Sequence, residues 1–117
     1  MIEQQNLLAK VQADSVYMRQ RLNQMQQQFS LIGDVRGIGL LWGIELVTDR
    51  HTKQRAHNEA EAVLYHCLRN GLSFKVSQGN VIQLSPPLII SRQELNQALD
   101  ILHSALLAIS QQMGYSH

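Results

Sequence analysis

The chain has 117 residues, 44% of them hydrophobic and 16% charged, with a formal net charge of +1. That length fits one domain able to bury well over half of its unfolded surface, and the balance of ten basic against nine acidic residues leaves no single-sign field to draw in nucleic acid or anionic lipid. The charged share falls below the usual ~25%, so part of the surface is expected to be made for contact.

Residues 3–29 are rich in glutamine and hold no glycine or proline, while Leu7, Val11, Met18, Leu22, Met25 and Phe29 recur at helical spacing. This predicts a long amphipathic helix. Asp14 and Ser15 interrupt the stripe, which favours packing on a neighbouring domain or sheet over a sustained coiled coil. Gly33-Asp34 ends the helical pattern. From Ile38 to Val47 the period becomes two, with Ile38, Leu40, Trp42, Ile44 and Leu46 on one face and Gly37, Gly39, Leu41, Gly43 and Glu45 on the other. Glycines weaken a strand, so three on one face imply a close approach to its backbone.

Thr48 to Ala56 reads as a polar surface loop. Asn58 is placed to cap a second helix, with Glu61 reaching back and Ala60, Val63, Leu64, Cys67 and Leu68 as its apolar face, and Gly71 stops it. Leu72, Phe74 and Val76 alternate with Ser73 and Lys75, a Ser-Gln-Gly-Asn turn fills 77–80, and Val81 to Ser85 returns, which predicts a hairpin. Pro86-Pro87 ends regular pairing there, while Leu88, Ile89 and Ile90 are expected to stay buried. Ser91-Arg92-Gln93-Glu94 is a capping box, with Ile90 and Leu95 as its hydrophobic staple. The helix it opens carries Leu95, Ala98, Leu99, Leu102, Ala105, Leu106 and Ile109 and runs to about Gln111. The expected class is α+β, two-layered, in the order α-β-α-β-β-α, with a three-stranded, largely antiparallel sheet covered by helices on one face. Residues 1–117 are expected to form one domain, with 1–30 a long helix and 33–117 the sheet-and-helix body.

Candidate chemistry is sparse. Gly37, Gly39 and Gly43 lie within a strand pattern instead of between a strand and a helix N-terminus, so they do not make a dinucleotide fingerprint. His51, His57, His66, His103 and His117 lack the spacing of a helical metal motif; His57 with Glu61 and His103 with Asp100 are expected to make solvent-facing contacts, and no metal is expected. Cys67 reads as a small buried hydrophobe, which suits a reducing compartment. Of Lys10, Lys53 and Lys75, all in polar contexts, Lys75 is the best placed for a Schiff base. Arg36 suits either a carboxylate or a hydrogen-bonding hub, Glu45 is either edge-exposed or paired with such an arginine, and Trp42 is a core anchor. No apolar run approaches the ~20 residues needed to span a bilayer, and Met1-Ile-Glu-Gln-Gln lacks the order of a signal peptide, so a cytoplasmic, membrane-free location is expected.

Ile32-Gly-Asp-Val-Arg-Gly-Ile-Gly-Leu40, Gly43-Ile-Glu-Leu46, the Gly71-Leu72 helix stop and Leu84-Ser-Pro-Pro-Leu-Ile-Ile90, followed by Glu94 and Leu95, together have a specific order and spacing. In these the chain resembles the C-terminal small domain of class III aminotransferases, similar to the ornithine and 4-aminobutyrate enzymes that use pyridoxal phosphate. The resemblance implies a homodimeric parent that moves an amino group between a small amine or amino acid and an oxo acid. Its cofactor would be held by a lysine of a large domain that has no counterpart here, leaving this chain without bound cofactor or catalytic residue and inactive alone. Many members carry a carboxylate-binding arginine just before Leu-Ser-Pro-Pro-Leu; here Gln83 takes that place as the implied substrate-binding residue, without the charge or the two-pronged guanidinium. The alternative reading is a free-standing dimeric module that binds a small ligand or a partner through the long helix and the sheet without catalysis.

Overall fold

The computed structural model describes residues 4–49, 52, 54–86 and 90–112. In chain order it holds α1 (Gln4–Gln28), β1 (Ile32–Ile38), β2 (Leu41–Asp49), β3 (Gln54–Arg55), α2 (His57–Arg69), β4 (Lys75–Ser77), β5 (Val81–Leu84) and α3 (Arg92–Gln112). The strands pair antiparallel in the order β1-β2-β5-β4, with β3 joining β2 at Val47 and Asp49.

The α+β class and the antiparallel pairing are those expected from the sequence, but the sheet has five strands instead of three. Ile38 to Val47 is not one strand. Gly39, at φ +58°, turns the chain so that Ile38 pairs with Leu41 and the preceding residues form β1. A positive φ at the first central residue suits the right-handed twist of a two-residue hairpin. The turn also resets the faces: Gly37 lies beside Trp42 and not on the opposite side. A Cβ on Gly37 would meet the Trp42 ring at 2.3 and 2.5 Å and the Leu41 carbonyl at 2.7 Å, so the close approach that the glycine permits is that of the indole. Trp42 Nε1–H then donates to the Gly39 carbonyl at 3.0 Å, anchoring a fully buried ring.

From Leu41 to Leu46 the period of two holds, and it breaks at Val47, which is buried next to Leu46 where the register shifts. Trp42, Ile44 and Leu46 are buried, as are their β5 neighbours Ile82 and Leu84, whereas Leu41 is 54% exposed and Gly43, Glu45 and Gln83 are partly open. The inner face takes the helices: Met18, Leu22 and Met25 of α1, Ala60, Val63 and Cys67 of α2, and Leu95, Leu99, Leu102 and Leu106 of α3 join it in one core. Thus the stripe that made α1 a candidate dimerisation helix is largely used within the chain.

Local signals close each element. Ser91 Oγ accepts from the Glu94 amide at 3.0 Å while the Glu94 carboxylate accepts from the Ser91 amide at 3.3 Å, which is the predicted capping box. The box expected at Asn58 and Glu61 is absent. There α2 starts at His57, capped by Ala56 with no side-chain bond, because the Ala56 amide already donates to Leu46 and β3 leads directly into the helix. At its other end Gly71 (φ +91°) donates to Leu68 and Leu72 to Cys67, the paired bonds of a Schellman stop. The Thr48–Ala56 loop contains β3; Arg50, His51 and Lys53 lie outside the described residues. Of the apolar triplet after the proline pair, Ile90 is half-buried against the core, while Pro87, Leu88 and Ile89 are likewise outside the described residues.

Asp14, the interruption in the α1 stripe, is buried on that stripe. Its carboxylate accepts from Lys10 Nζ at 2.6 Å and from Arg92 at 3.0 and 3.2 Å, and the Arg92 guanidinium lies 4.4 Å over the Tyr17 ring. Farther along, Arg21 donates to Asn96 at 2.6 Å and to Asp100 at 2.7 Å, so a row of polar contacts ties α1 to α3. Burial alone would raise the Asp14 pKa, but the hydrogen bonds and positive charges of Lys10 and Arg92 outweigh it and hold the carboxyl below its ordinary value.

Asp14→Ala should therefore cost about 1–3 kcal/mol near neutral pH, read by urea denaturation, because two cations lose their acceptor. A carboxyl whose folded pKa is depressed stabilises fully above its unfolded pKa of about 3.9 and loses that contribution as pH falls through the lower folded value. The deficit of the variant should accordingly shrink on acidification through that window. Gly37→Val should lower the urea midpoint by an equivalent of about 1–3 kcal/mol, since the indole has to leave its seat.

Candidate substrate-facing site

Gln83 sits in the middle of β5, paired with Gly43 of β2 on one side and Lys75 of β4 on the other. Gly43 pairs in turn with Arg36 of β1, so Arg36, Gly43, Gln83 and Lys75 form one row across four strands on the face away from the helices. Around this row a shallow concavity of about 460 Å³ is lined by Arg36, Gly43, Ser77, Val81 and Gln83 among others. Gly43 is needed only to keep its floor low, since an added Cβ would meet nothing closer than Val81 at 3.6 Å. A second hollow of about 510 Å³ opens beside the end of β5, lined chiefly by apolar groups such as Leu72, Phe74, Pro86 and Leu95; Gln83 touches it too, and Lys75 lines this hollow and not the first. The glutamine is thus not walled into the core, and the first proline of the pair borders an open cleft.

Arg36 is largely spoken for. Its guanidinium donates to Asp34 at 2.9 Å and lies 3.7 Å from Glu45, so the carboxylate anticipated for it comes from its own sheet. Lys75 differs: the ion pairs between described residues leave it without a carboxylate, and it is exposed on β4. What the sequence reading did not bring together is Lys75 with Gln83. The Gln78-Gly79 turn carries the signal, because Gln78 at φ 54° and Gly79 at φ 82° close the hairpin tightly and set Ser77 opposite Val81, hence Lys75 opposite Gln83. Asn80 holds that hairpin to β2, donating from Nδ2 to the Leu46 carbonyl at 3.0 Å while its own carbonyl accepts from Leu46.

The other sequence candidates are dispersed. Lys10 is tied to Asp14, and Lys53 is outside the described residues. An imine-forming lysine needs a free amine in a desolvated pocket; Lys10 is engaged by Asp14 at 2.6 Å and Lys75 stands in solvent, so the described residues do not fit a pyridoxal phosphate site. His103, expected to make a solvent-facing contact with Asp100, does make an exposed one, but with Gln28 at 2.9 Å, and its half-buried ring tilts against Phe29 while Asp100 pairs with Arg21. Among the described residues no group of three His, Cys, Asp or Glu side chains is placed to hold a metal, and no helix is long and apolar enough to cross a membrane. Cys67 is fully buried in the core, and burial pushes its thiol up to about 12.

Residues 1–106 match the model of the family described as Aminotransferase class-III. The chain is 64% identical over 114 residues to the (R)-1-hydroxy-2-aminoethylphosphonate ammonia-lyase of Vibrio splendidus, which covers 97% of this chain and 24% of that protein. It is 40% identical over 110 residues to the leucine/methionine racemase of Thermococcus litoralis, covering 94% of this chain and 25% of the relative. The solved structure of a transaminase with L-alanine superposes with a TM-score of 0.86 at 29% identity, over 96% of this chain and 27% of that one. The chain therefore spans about a quarter of the length of the relatives it matches.

A thiol reagent provides a check on the site chemistry. Native Cys67 should react on the order of a thousandfold more slowly near pH 8 than the same cysteine in concentrated urea, because thiolate is scarce and the core excludes the reagent. Fast native labelling would show a nucleophile where the fold provides none.

Proposed function

The chain belongs to the class-III aminotransferase family, and we propose that it is the family's C-terminal small domain and serves as the substrate-facing part of an enzyme that uses pyridoxal phosphate to move an amino group. In this reading residues 1–117 act as one domain; a large domain on a longer polypeptide supplies the cofactor and its lysine, and the assembly is a cytoplasmic homodimer acting on a small amine and an oxo acid. This chain alone transfers no amino group. Its part is to close over the substrate, exclude water and present Gln83. The observation that supports the reading is the position of Gln83, half-exposed at the centre of the open sheet face, where the family resemblance implies a substrate-binding residue.

A second reaction within the same family is favoured by one observation. The 64% identity is to an ammonia-lyase whose named substrate bears a phosphonate. Gln83 donates only from an amide and lacks the fork that matches a planar carboxylate, which suits a substrate whose acidic group is not an α-carboxylate. Elimination of ammonia from a small aminophosphonate is accordingly the form of the activity to assay beside transamination.

The test uses the longer polypeptide with its cofactor. Gln83→Arg should raise kcat/KM for amino acids relative to aminophosphonates by about tenfold or more, the scale of one charge-assisted hydrogen bond. An unchanged ratio would remove position 83 from the substrate pocket, and absence of any amine chemistry in the wild-type polypeptide would overturn the reading as a whole.

A further inference from the structure

Three hydrogen-bond donors stand together on the open face of the sheet. Lys75 lies directly opposite Gln83, and Ser77 is two residues along β4 on the same side, opposite Val81. Opposed residues of an antiparallel pair have Cβ atoms about 4.5–5.5 Å apart, and residues i and i+2 of a strand are about 6.6–6.8 Å apart. The ammonium, the amide and the hydroxyl therefore rise from the corners of a small triangle. Each is a separate, adjustable donor. A guanidinium offers two parallel N–H groups that match the two coplanar oxygens of a carboxylate; a triangle of single donors matches the three oxygens of a tetrahedral oxyanion.

We propose that Lys75, Ser77 and Gln83 form a recognition site for a tetrahedral phosphorus oxyanion, such as the phosphonate of a small substrate, with Lys75 supplying the charge that Gln83 lacks. The site rests on the reading of this sheet face as substrate-facing and names the residues that would select the acidic group. The charge distribution favours it. Arg36 at the far end of the row is neutralised by Asp34 and Glu45, whereas Lys75 has no carboxylate partner among the described residues and is the cation left to meet an anion. Gln83 lines both hollows, Lys75 the one beside the end of β5 and Ser77 the one over Gly43, where buried Val81 gives an apolar wall for the carbon end of such a ligand. Lys75 is a specificity residue here and takes no part in bond breaking.

The test is an amide NMR titration of the 117-residue chain with methylphosphonate, inorganic phosphate and acetate at constant ionic strength. Both phosphorus oxyanions should move the signals of residues 75, 77 and 83 and bind at least fivefold more tightly than acetate. Tighter binding of methylphosphonate than of phosphate would assign the site to a carbon-linked phosphonate, and the reverse to a phosphate ester or free phosphate. Lys75→Met should weaken binding about fivefold or more, Lys75→Arg should largely restore it, and Ser77→Ala should reduce the preference over acetate. Shifts spread elsewhere, or equal binding of acetate, would overturn the proposal. Because this measurement needs no cofactor, it fails separately from the catalytic reading: a titrating chain whose longer polypeptide is inert retains the anion site and loses the enzyme, and an active enzyme with a silent titration does the opposite.

Discussion

The alternation of side chains along β2 is the constraint on which the rest of the molecule depends. As an interior strand it pairs with β1 and β5 and puts each consecutive residue on the opposite face, so Trp42, Ile44 and Leu46 go to the helices and Gly43 and Glu45 go outward. The inner set has to be bulky because three helices rest on it. The outer set is small or polar at Gly43 and Glu45, which no described helix covers, while Leu41 at one end is left exposed and Val47 at the other is buried against Gly33. A one-residue slip would exchange the two faces and put Gln83 under the helices. Gly37 and Asn80 resist this slip, the first by seating the Trp42 ring and the second by bonding both backbone groups of Leu46.

The parts legible in the sequence are those set by nearby residues. The 3.6-residue period of α1 and α3 is long and uninterrupted by glycine or proline, and the Ser91–Glu94 box depends on residues three apart. The β4–β5 hairpin was legible for the same reason. β1 was not. Ile32-Gly-Asp-Val-Arg-Gly-Ile carries two glycines and two charges in seven residues, so it shows no apolar alternation, and its stability comes from pairing with β2. The turn at Gly39-Leu40 was hidden by the apolar residues around it, which made β2 look longer than it is. The failed cap at Asn58 has a related cause, since an incoming strand, invisible locally, fixes where α2 begins.

For the site, the sequence offered residues and the fold supplied their neighbours. Gln83 stood out by its position in a family resemblance, while Lys75 was considered only as a nucleophile. Their adjacency follows from a turn in which two consecutive residues have positive φ. The same fold removes other candidates: Cys67 is drawn into the core, His103 is taken up by Gln28 and Phe29, and Arg36 is held by carboxylates of its own sheet. What remains open on the outer sheet face is a polar row, with the exposed Leu41 beside it. That division leaves one face for cohesion and one open for the proposed recognition role, in a chain that spans about a quarter of the length of its matched relatives.

The division can be tested with single cysteines at positions 82 and 83 in a Cys67→Ala background, comparing labelling rates under native conditions with those in urea. The account predicts that a thiol at 83 is labelled nearly as fast in the folded chain as in the unfolded one, while a thiol at 82 is protected by several orders of magnitude. Equal protection at both positions, or a reversed order, would contradict the assignment of the faces and with it the placement of the recognition site.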